Sequence, residues 1–369
     1  MTTSTTPVLD LTGDLVALTR TICDIPSVSG DERLLADAVE QALRSLGHLE
    51  VLRDGDAVVA RTHLGHGERV VIAGHLDTVP IAANLPAELR VTDDAEGLVE
   101  LWGRGTVDMK GGVAVQLALA AAVPTPTRDV TWVFYDQEEV EATRNGLGRL
   151  VRTHPDWVSG DFAILCEPTS GALEGGCNGT LRAEVRVLGR AAHSGRSWLG
   201  VNAVHGAAEV LDRLVRYAPR AVDVDGLVFR EGLNAVAIRG GIAGNVIPDE
   251  CVVTVNYRFA PELSLEEAEA HVREVFDGYD VRVTDGAAGA RPGLDQPAAA
   301  RFAEQVTALT GRPPTAKVGW TDVARFSELG VPAVNFGPGD PTLAHADDER
   351  CPVEQITGCF DGLRAWLTS

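Results

Sequence analysis

The sequence predicts an α/β protein with a mixed, parallel-rich sheet and a second, ferredoxin-like domain inserted into the first. Three observations lead there. Short continuous apolar runs bounded by turn residues recur in both ends of the chain, as expected for strands buried on both faces of a parallel sheet. Between them, from residue 179 to 289, the pattern changes to the apolar–polar alternation of a half-exposed sheet. The length of 369 residues exceeds what one small core organises, so about two domains are expected.

Taken in order, Leu15, Leu18 and Ile22 fall at helical spacing, and Ser29-Gly30-Asp31-Glu32 has the form of a capping box ahead of Leu34, Leu35, Val39, Leu43 and Leu46. Gly47 reads as the helix stop, and Asp54-Gly55 marks a tight turn between Arg53 and Ala60. Val70-Val71-Ile72-Ala73 is the first buried-type strand, and Val130 to Tyr135 and Phe162 to Cys166 repeat its texture. Val113 to Val123, interrupted by Gln116, falls short of the roughly 20 residues that span a bilayer and reads as a core helix.

In the middle region Leu181, Ala183, Val185 and Val187 alternate with polar residues, Val201 to Tyr217 has helical periodicity, and Ala235 to Ile242 and Cys251 to Phe259 read as strands. Ser264-Leu265-Glu266-Glu267 opens a second helix, to Phe276, and Tyr279 to Thr284 is a last strand. The order β-α-β-β-α-β is the split βαβ arrangement. Gly and Pro cluster between Gly286 and Pro297, after which a helix (Ala298 to Leu309) and the run Val331 to Phe336 resume the earlier style. The expected domains are therefore 1–178 with 290–369, and an insert at 179–289.

Composition narrows the function. Hydrophobic residues at 45% and charged residues at 23% are those of a globular protein. The formal charge of −21 disfavours nucleic acid and anionic membrane as partners, while leaving a small-molecule substrate open. Met1 to Leu11 has neither a basic stretch nor an apolar core, so a cytoplasmic location is the default. Six cysteines without a C-x-x-C pair read as reduced, buried thiols rather than as a disulfide framework or thiolate zinc site.

The apolar runs have one thing in common: each is followed by a side chain of metal-ligand type. The first leads into Gly74-His75-Leu76-Asp77, the second into Glu138-Glu139, the third into Glu167, and Val331 to Phe336 precedes His345. Open α/β sheets bind ligands along the edge where strands end. Each residue has a bland reading when taken alone. His75-x-Asp77 fits an ordinary turn, Glu138-Glu139 a solvated acidic turn, Glu167 a strand-end carboxylate before Pro168, and His345 a surface loop. Gly103 to Gly112, with Asp108 at its centre, resembles a phosphate-binding turn but lacks the spacing of the dinucleotide fingerprint and of the P-loop. Together, two histidines and three carboxylates form a nitrogen and oxygen set suited to two zinc-like ions bridged by one carboxylate. Adjacent carboxylates also allow one to ligate while the other moves a proton.

As an ordered set, Gly74 to Pro80, Gly103 to Gly112, Glu138-Glu139, Cys166-Glu167-Pro168-Thr169, Ala192-His193-Ser194-Gly195, Gly244 to Pro248 and the His345 loop resemble the dinuclear zinc amidohydrolases. That group includes acetylornithine deacetylases, aminoacylases, glutamate carboxypeptidases and succinyl-diaminopimelate desuccinylases. The resemblance implies a zinc-peptidase-like catalytic domain and an inserted domain that acts as lid and makes a homodimer. It implies two zinc ions per subunit, with cobalt as a substitute: one held by His75, Asp108 and Glu167, the other by Asp108, Glu139 and His345. Asp77 is then the orienter of His75, Glu138 the proton-transferring carboxylate, and His193 a residue carried into the neighbouring subunit's site.

Within the group, Gly176 to Arg182, Arg196 to Gly200 and Gly319 to Phe326 resemble the actinobacterial desuccinylases. That implies hydrolysis of N-succinyl-LL-2,6-diaminopimelate, with acetylornithine or another N-acyl amino acid as the alternative substrate. A non-catalytic metal-binding module is the alternative of another class, and Glu138 argues against it, because binding metal alone needs no second carboxylate. Cys177-Asn178 stands where other desuccinylases carry arginine, which leaves Arg258, Asn245, Thr321, Arg325 and Asn178 as candidates for holding substrate.

Overall fold

The computed structural model describes residues 6–92 and 97–369, so the first five residues of the Met1–Leu11 segment lie outside it. The chain divides into two units, one comprising 1–175, 292–315 and 321–369, the other Gly176–Arg291 with Ala316–Trp320.

In the large unit the β-branched runs form the expected strands. The main sheet has eight, in the order Glu50–Asp54, Ala57–Arg61, Asp129–Tyr135, Arg69–His75, Phe162–Leu165, Ala333–Asn335, Glu174–Gly175 and Thr315–Ala316. The four strands from Asp129–Tyr135 to Ala333–Asn335 are parallel. Val70, Val71, Ile72 and Ala73 are all fully buried, so helices must cover both faces of the sheet, as continuous apolar runs require. Each fully buried Val or Ile contributes roughly 1.5–3 kcal/mol. Register then aligns the strand ends: His75 lies opposite Tyr135, Ala73 opposite Leu165, and Leu165 opposite Asn335. The four carboxyl ends therefore share one rim.

The apolar segment after Asp108 is a helix, Lys110–Ala122, buried from Lys110 to Ala120. It packs on the strand Arg69–His75 and on the helices Leu15–Cys23 and Val353–Leu367. Its first turn touches the sheet so closely that a Cβ on Gly112 would stand 2.2 Å from the carbonyl oxygen of Cys166. Glycine is needed there for close approach, whereas Gly105, at φ +83°, is needed for its backbone conformation. A three-stranded sheet of Arg350–Pro352, Val99–Trp102 and Glu88–Val91, not anticipated from the sequence, brings the segment after His345 back to the loop that carries Asp108.

The first expected capping box does not form. The helix begins at Arg33, and the side chain of Glu32 at the cap position makes no bond to the helix's own first amides. Ser29 instead gives its hydroxyl to the Asp77 carboxylate at 2.7 Å, and Glu32 accepts from the Gly30 and Gln137 amides at 2.8 and 3.2 Å. The hydroxyl donates to a charged acceptor, a stronger bond than one to a neutral group. The second box, Ser264 with Glu267, is present at the start of the helix Leu265–Val275.

The small unit contains the β-α-β-β-α-β core. Its four-stranded sheet has the order Gly232–Gly240, Glu250–Phe259, Gly179–Leu188, Asp280–Ala287, antiparallel throughout, with helices Ala203–Arg216 and Leu265–Val275. Its borders differ from 179 and 289 by a few residues, and Ala316–Trp320 joins it. The cause is local hydrogen bonding: the Asn178 amide donates to the Lys317 carbonyl at 3.2 Å, and the Trp320 indole to the Ala288 carbonyl at 3.1 Å. A hairpin, Ala221–Val224 with Leu227–Arg230, was not read from the sequence although its Asp225-Gly226 turn is a recognisable signal. All six cysteines are buried, and none is in a disulfide. Among the described residues no helix is long and apolar enough to cross a membrane.

Candidate metal centre and active site

The shared rim of the large unit gathers most of the expected donors. His75, the last residue of its strand, is 1% exposed; its Nε2 lies 3.1 Å from Asp108 Oδ1. The other oxygen of Asp108 faces His345, whose Nε2 is 3.4 Å from Asp108 Oδ2 and 2.9 Å from Glu139 Oε1. Asp108 thus presents one oxygen to each histidine, the geometry a bridging carboxylate needs. One donor atom from each of His75, Asp108 and Glu139 lies within 4.8 Å of the others. Glu167 is buried just past the strand Phe162–Leu165, and its charge acts on Glu138 and Tyr135.

Asp77 contacts both His75 and the turn that carries the two glutamates. The His75 Nδ1 lies 3.0 Å from the Asp77 carbonyl and 3.5 Å from its carboxylate. The carboxylate also accepts from the Glu138 amide at 3.0 Å and the Glu139 amide at 3.1 Å. One buried aspartate therefore fixes both the imidazole and the turn that carries the two glutamates. Charge-assisted bonds of this kind are the strong ones.

The buried groups of the cluster act strongly on one another. Burial disfavours charge on His75, yet hydrogen bonds to Asp108 and Asp77 override it and raise the imidazole well above its usual range. Bonds to Asp108 and Glu139 push His345 up to about 10. Burial would raise Asp108, but the two histidines hold it well below a normal carboxylate. Glu138 goes the other way: burial, with Asp322, Glu139 and Glu167 nearby, pushes it far up despite the charge of His75. Carboxylates crowded in this way, with imidazole nitrogens among them, suit a divalent cation of the zinc type.

Asp322, missed by the sequence reading although it lies inside the quoted Gly319 to Phe326 stretch, is completely buried and accepts from Asn145 Nδ2 at 2.8 Å. Its neighbours are less open to substrate than expected. Thr321 is buried and gives its hydroxyl to Asn335 at 2.9 Å, and Arg325 is held by Glu328 at 3.2 Å and near Asp322 at 3.6 Å.

In the small unit, His193 is exposed, and its Nδ1 accepts from the Gly195 amide at 3.0 Å, which leaves Nε2 as the outward nitrogen. Asn245 is exposed beside it, its carbonyl accepting from the Ser194 amide at 2.9 Å. Asn178 is different: it is 1% exposed, and its Nδ2 is taken up by the carbonyls of Arg230 at 2.8 Å and Val318 at 3.1 Å. It clamps backbone and has no donor to offer a substrate. Arg258 is half-buried; burial and the neighbouring Arg182 hold its pKa below the usual value.

Residues 71–369 match the model of peptidase family M20/M25/M40. The chain belongs to this family. It is 47% identical to succinyl-diaminopimelate desuccinylase of Corynebacterium glutamicum, an alignment covering 98% of each chain. It is also 55% identical to a Mycobacterium tuberculosis protein, DapE, whose name assigns the same activity provisionally, over 97% of this chain and 99% of the relative. Among solved structures the fold resembles a tripeptidase from Staphylococcus aureus (TM-score 0.78, 18% identity, 98% of both chains). A dinuclear metal-binding peptidase of the M20 family from Bacillus subtilis is also similar (TM-score 0.68, 16% identity, 95% of both chains). Members of the M20 family are metal-dependent hydrolases, and the His75, Asp108 and Glu139 donors agree with that chemistry.

Proposed function

We propose that this M20-family hydrolase removes the succinyl group from N-succinyl-LL-2,6-diaminopimelate, releasing succinate and LL-2,6-diaminopimelate for lysine and cell-wall precursor synthesis in the cytoplasm. The observation that carries the reading is the near full-length identity, 47%, to the Corynebacterium desuccinylase. His75, Asp108 and Glu167 would hold one zinc and Asp108, Glu139 and His345 the other, with Asp108 shared. Bound zinc supplies a water of lowered pKa and polarises the amide carbonyl. Glu138 accepts the proton of the attacking water and delivers it to the amide nitrogen as the C–N bond breaks. A carboxyl whose pKa is raised by burial holds a proton more readily, which suits both steps.

The substrate is anionic, and the small unit offers unpaired guanidiniums. On the exposed sheet face Arg186 pairs with Glu250 at 3.0 Å and Arg239 with Glu184 at 2.6 Å. Arg182 and Arg258 on the same face have no ion pair among the described residues. Asn256 accepts from Arg258 Nε at 3.1 Å, which orients the guanidinium and leaves both Nη groups for a two-pronged bond to carboxylate.

The edge strand Gly232–Gly240 exposes Val236 at 58% and Ile238 at 52%, and the helix Ala203–Arg216 exposes Val215 at 84%. An unpaired sheet edge with apolar side chains is a template for a second copy. In such a homodimer His193 of one chain would donate to the developing oxyanion in the site of the other.

Zinc-loaded protein assayed side by side on succinyl-diaminopimelate and acetylornithine tests the reading, with a large preference in kcat/KM for the succinyl substrate expected. A preference for acetylornithine would overturn it. For the dimer, His193→Ala and Glu138→Ala are each expected to be inactive, and mixing them under subunit exchange is expected to restore activity in the one intact site of each hybrid. No recovery despite demonstrated exchange would place His193 outside the neighbour's site.

A further inference from the structure

Arg104 and Glu349 are separated by 245 positions, yet their side chains meet at 2.8 Å (Arg104 Nη1 to Glu349 Oε2). Both are enclosed, at 3% and 1% exposure. A charge pair buried this deeply is weak evidence for stability, because desolvation consumes most of the attraction. Its hydrogen bonds show a more specific role. The second oxygen of Glu349 accepts from the amides of Val107 and Asp108 at 2.9 and 3.2 Å. These amides stand just ahead of the helix Lys110–Ala122, where no helical carbonyl can serve them. The Glu349 carbonyl in turn accepts from the Gly103 amide at 2.9 Å.

Arg104 reaches the other two loops. Its Nη1 also donates to the carbonyl of Ala346, the residue after His345, at 3.1 Å, and its Nε donates to the carbonyl of Pro80 at 3.1 Å. His345 has φ +65°, a conformation that a residue with a side chain holds only when its surroundings impose it. One ion pair thereby ties together the segments that carry His75 and Asp77, Asp108, and His345.

We propose that the Arg104–Glu349 pair is a positioning latch that sets Asp108 and His345 relative to each other for metal binding. The latch rests on reading those two residues as ligands. Both members of the pair are enclosed, so they act through the ligand loops. Loss of such an outer partner lowers metal affinity by about 10–100-fold.

The test is zinc affinity, measured by competition with a chromogenic chelator, together with the visible spectrum of the cobalt-loaded protein. Glu349→Gln is expected to raise the zinc dissociation constant by about 10–100-fold and to change the cobalt spectrum. Turnover at limiting zinc should fall, recover in part with excess zinc, and leave KM unchanged. In a His345→Ala background the same substitution should add less than it does alone, since the two act on one site. Arg104→Lys keeps the charge but not the fork, and is expected to shift affinity in the same direction by less; it stands in if Glu349→Gln does not fold. Wild-type zinc affinity and an unchanged cobalt spectrum in either folded variant would overturn the latch. If Asp108→Ala and His345→Ala themselves keep full zinc, the ligand assignment falls instead.

Discussion

Glu231, in the small unit, is 7% exposed and accepts four hydrogen bonds: two from Arg220 at 2.9 and 2.8 Å, one from the Tyr257 hydroxyl at 3.2 Å and one from the Ala260 amide at 3.1 Å. Burial would raise its pKa, but these partners hold it below the ordinary value. On the sheet rim of the large unit, Glu138 is pushed up by burial and by Asp322, Glu139 and Glu167, with His75 only partly offsetting them. The same functional group is supplied with its countercharge in one place and left short of it in the other. Where a buried carboxylate serves the fold, the chain provides the cation. At Glu138, under the proposed function, that charge is left to the metal and to the proton being moved.

This contrast can be broken from either side. The largest effect is expected at the rim: Asp108→Ala should lose most bound metal and all measurable activity, because its two oxygens face both histidines. Its metal-free melting temperature should stay close to that of metal-free wild type. Full metal occupancy in that variant would remove Asp108 from the ligand set. Next, Glu138→Gln should retain metal while kcat falls by roughly 10²–10⁴, the range of general acid–base catalysis. Near wild-type turnover would refute its role.

Glu231→Gln should do the opposite, leaving kcat per folded site unchanged while destabilising the protein by roughly 1–3 kcal/mol, the cost of disturbing a buried, hydrogen-bonded group. The pH dependence has a definite sign. Because the folded pKa lies below the usual carboxylate value of 4.5, the stabilisation is complete above that value and lost as pH falls through the folded pKa. Urea midpoints measured from neutral pH down past 4.5 should therefore fall more steeply in wild type than in Glu231→Gln. Parallel curves would show that the glutamate is not the titrating support. The smallest effect is expected on the solvated face, where Arg186→Ala breaks bonds of 3.0 Å to Glu250 and Asp280. Exposed pairs of this kind often contribute nothing measurable. A clear drop in melting temperature would mean that the surface network carries load as Glu231 does.

Much of this was written locally in the chain. Continuous apolar runs announced the buried parallel strands, because a strand covered on both faces has no polar side to show. Alternation announced the half-exposed sheet of the small unit for the converse reason. The ligand types after each run, His75, Glu138-Glu139 and Glu167, were visible because parallel strands put their carboxyl ends on one edge, so order along the chain becomes proximity in space.

What only the tertiary structure decided concerns groups whose partners are remote. Ser29 looked like a helix cap until Asp77, 48 positions away, took its hydroxyl. Asn178 looked like a substrate contact until its amide was found on the carbonyls of Arg230 and Val318. Glu349, in the acidic run Asp347-Asp348-Glu349, carried no sign of burial, and Arg104 was one residue of a glycine-rich loop. Periodicity reports which face of an element is apolar, and side-chain type reports what a residue is able to bind. Neither reports which of many competing donors and acceptors will stand within 3 Å once the chain has closed, because a hydrogen bond is decided by distance and direction in the folded chain.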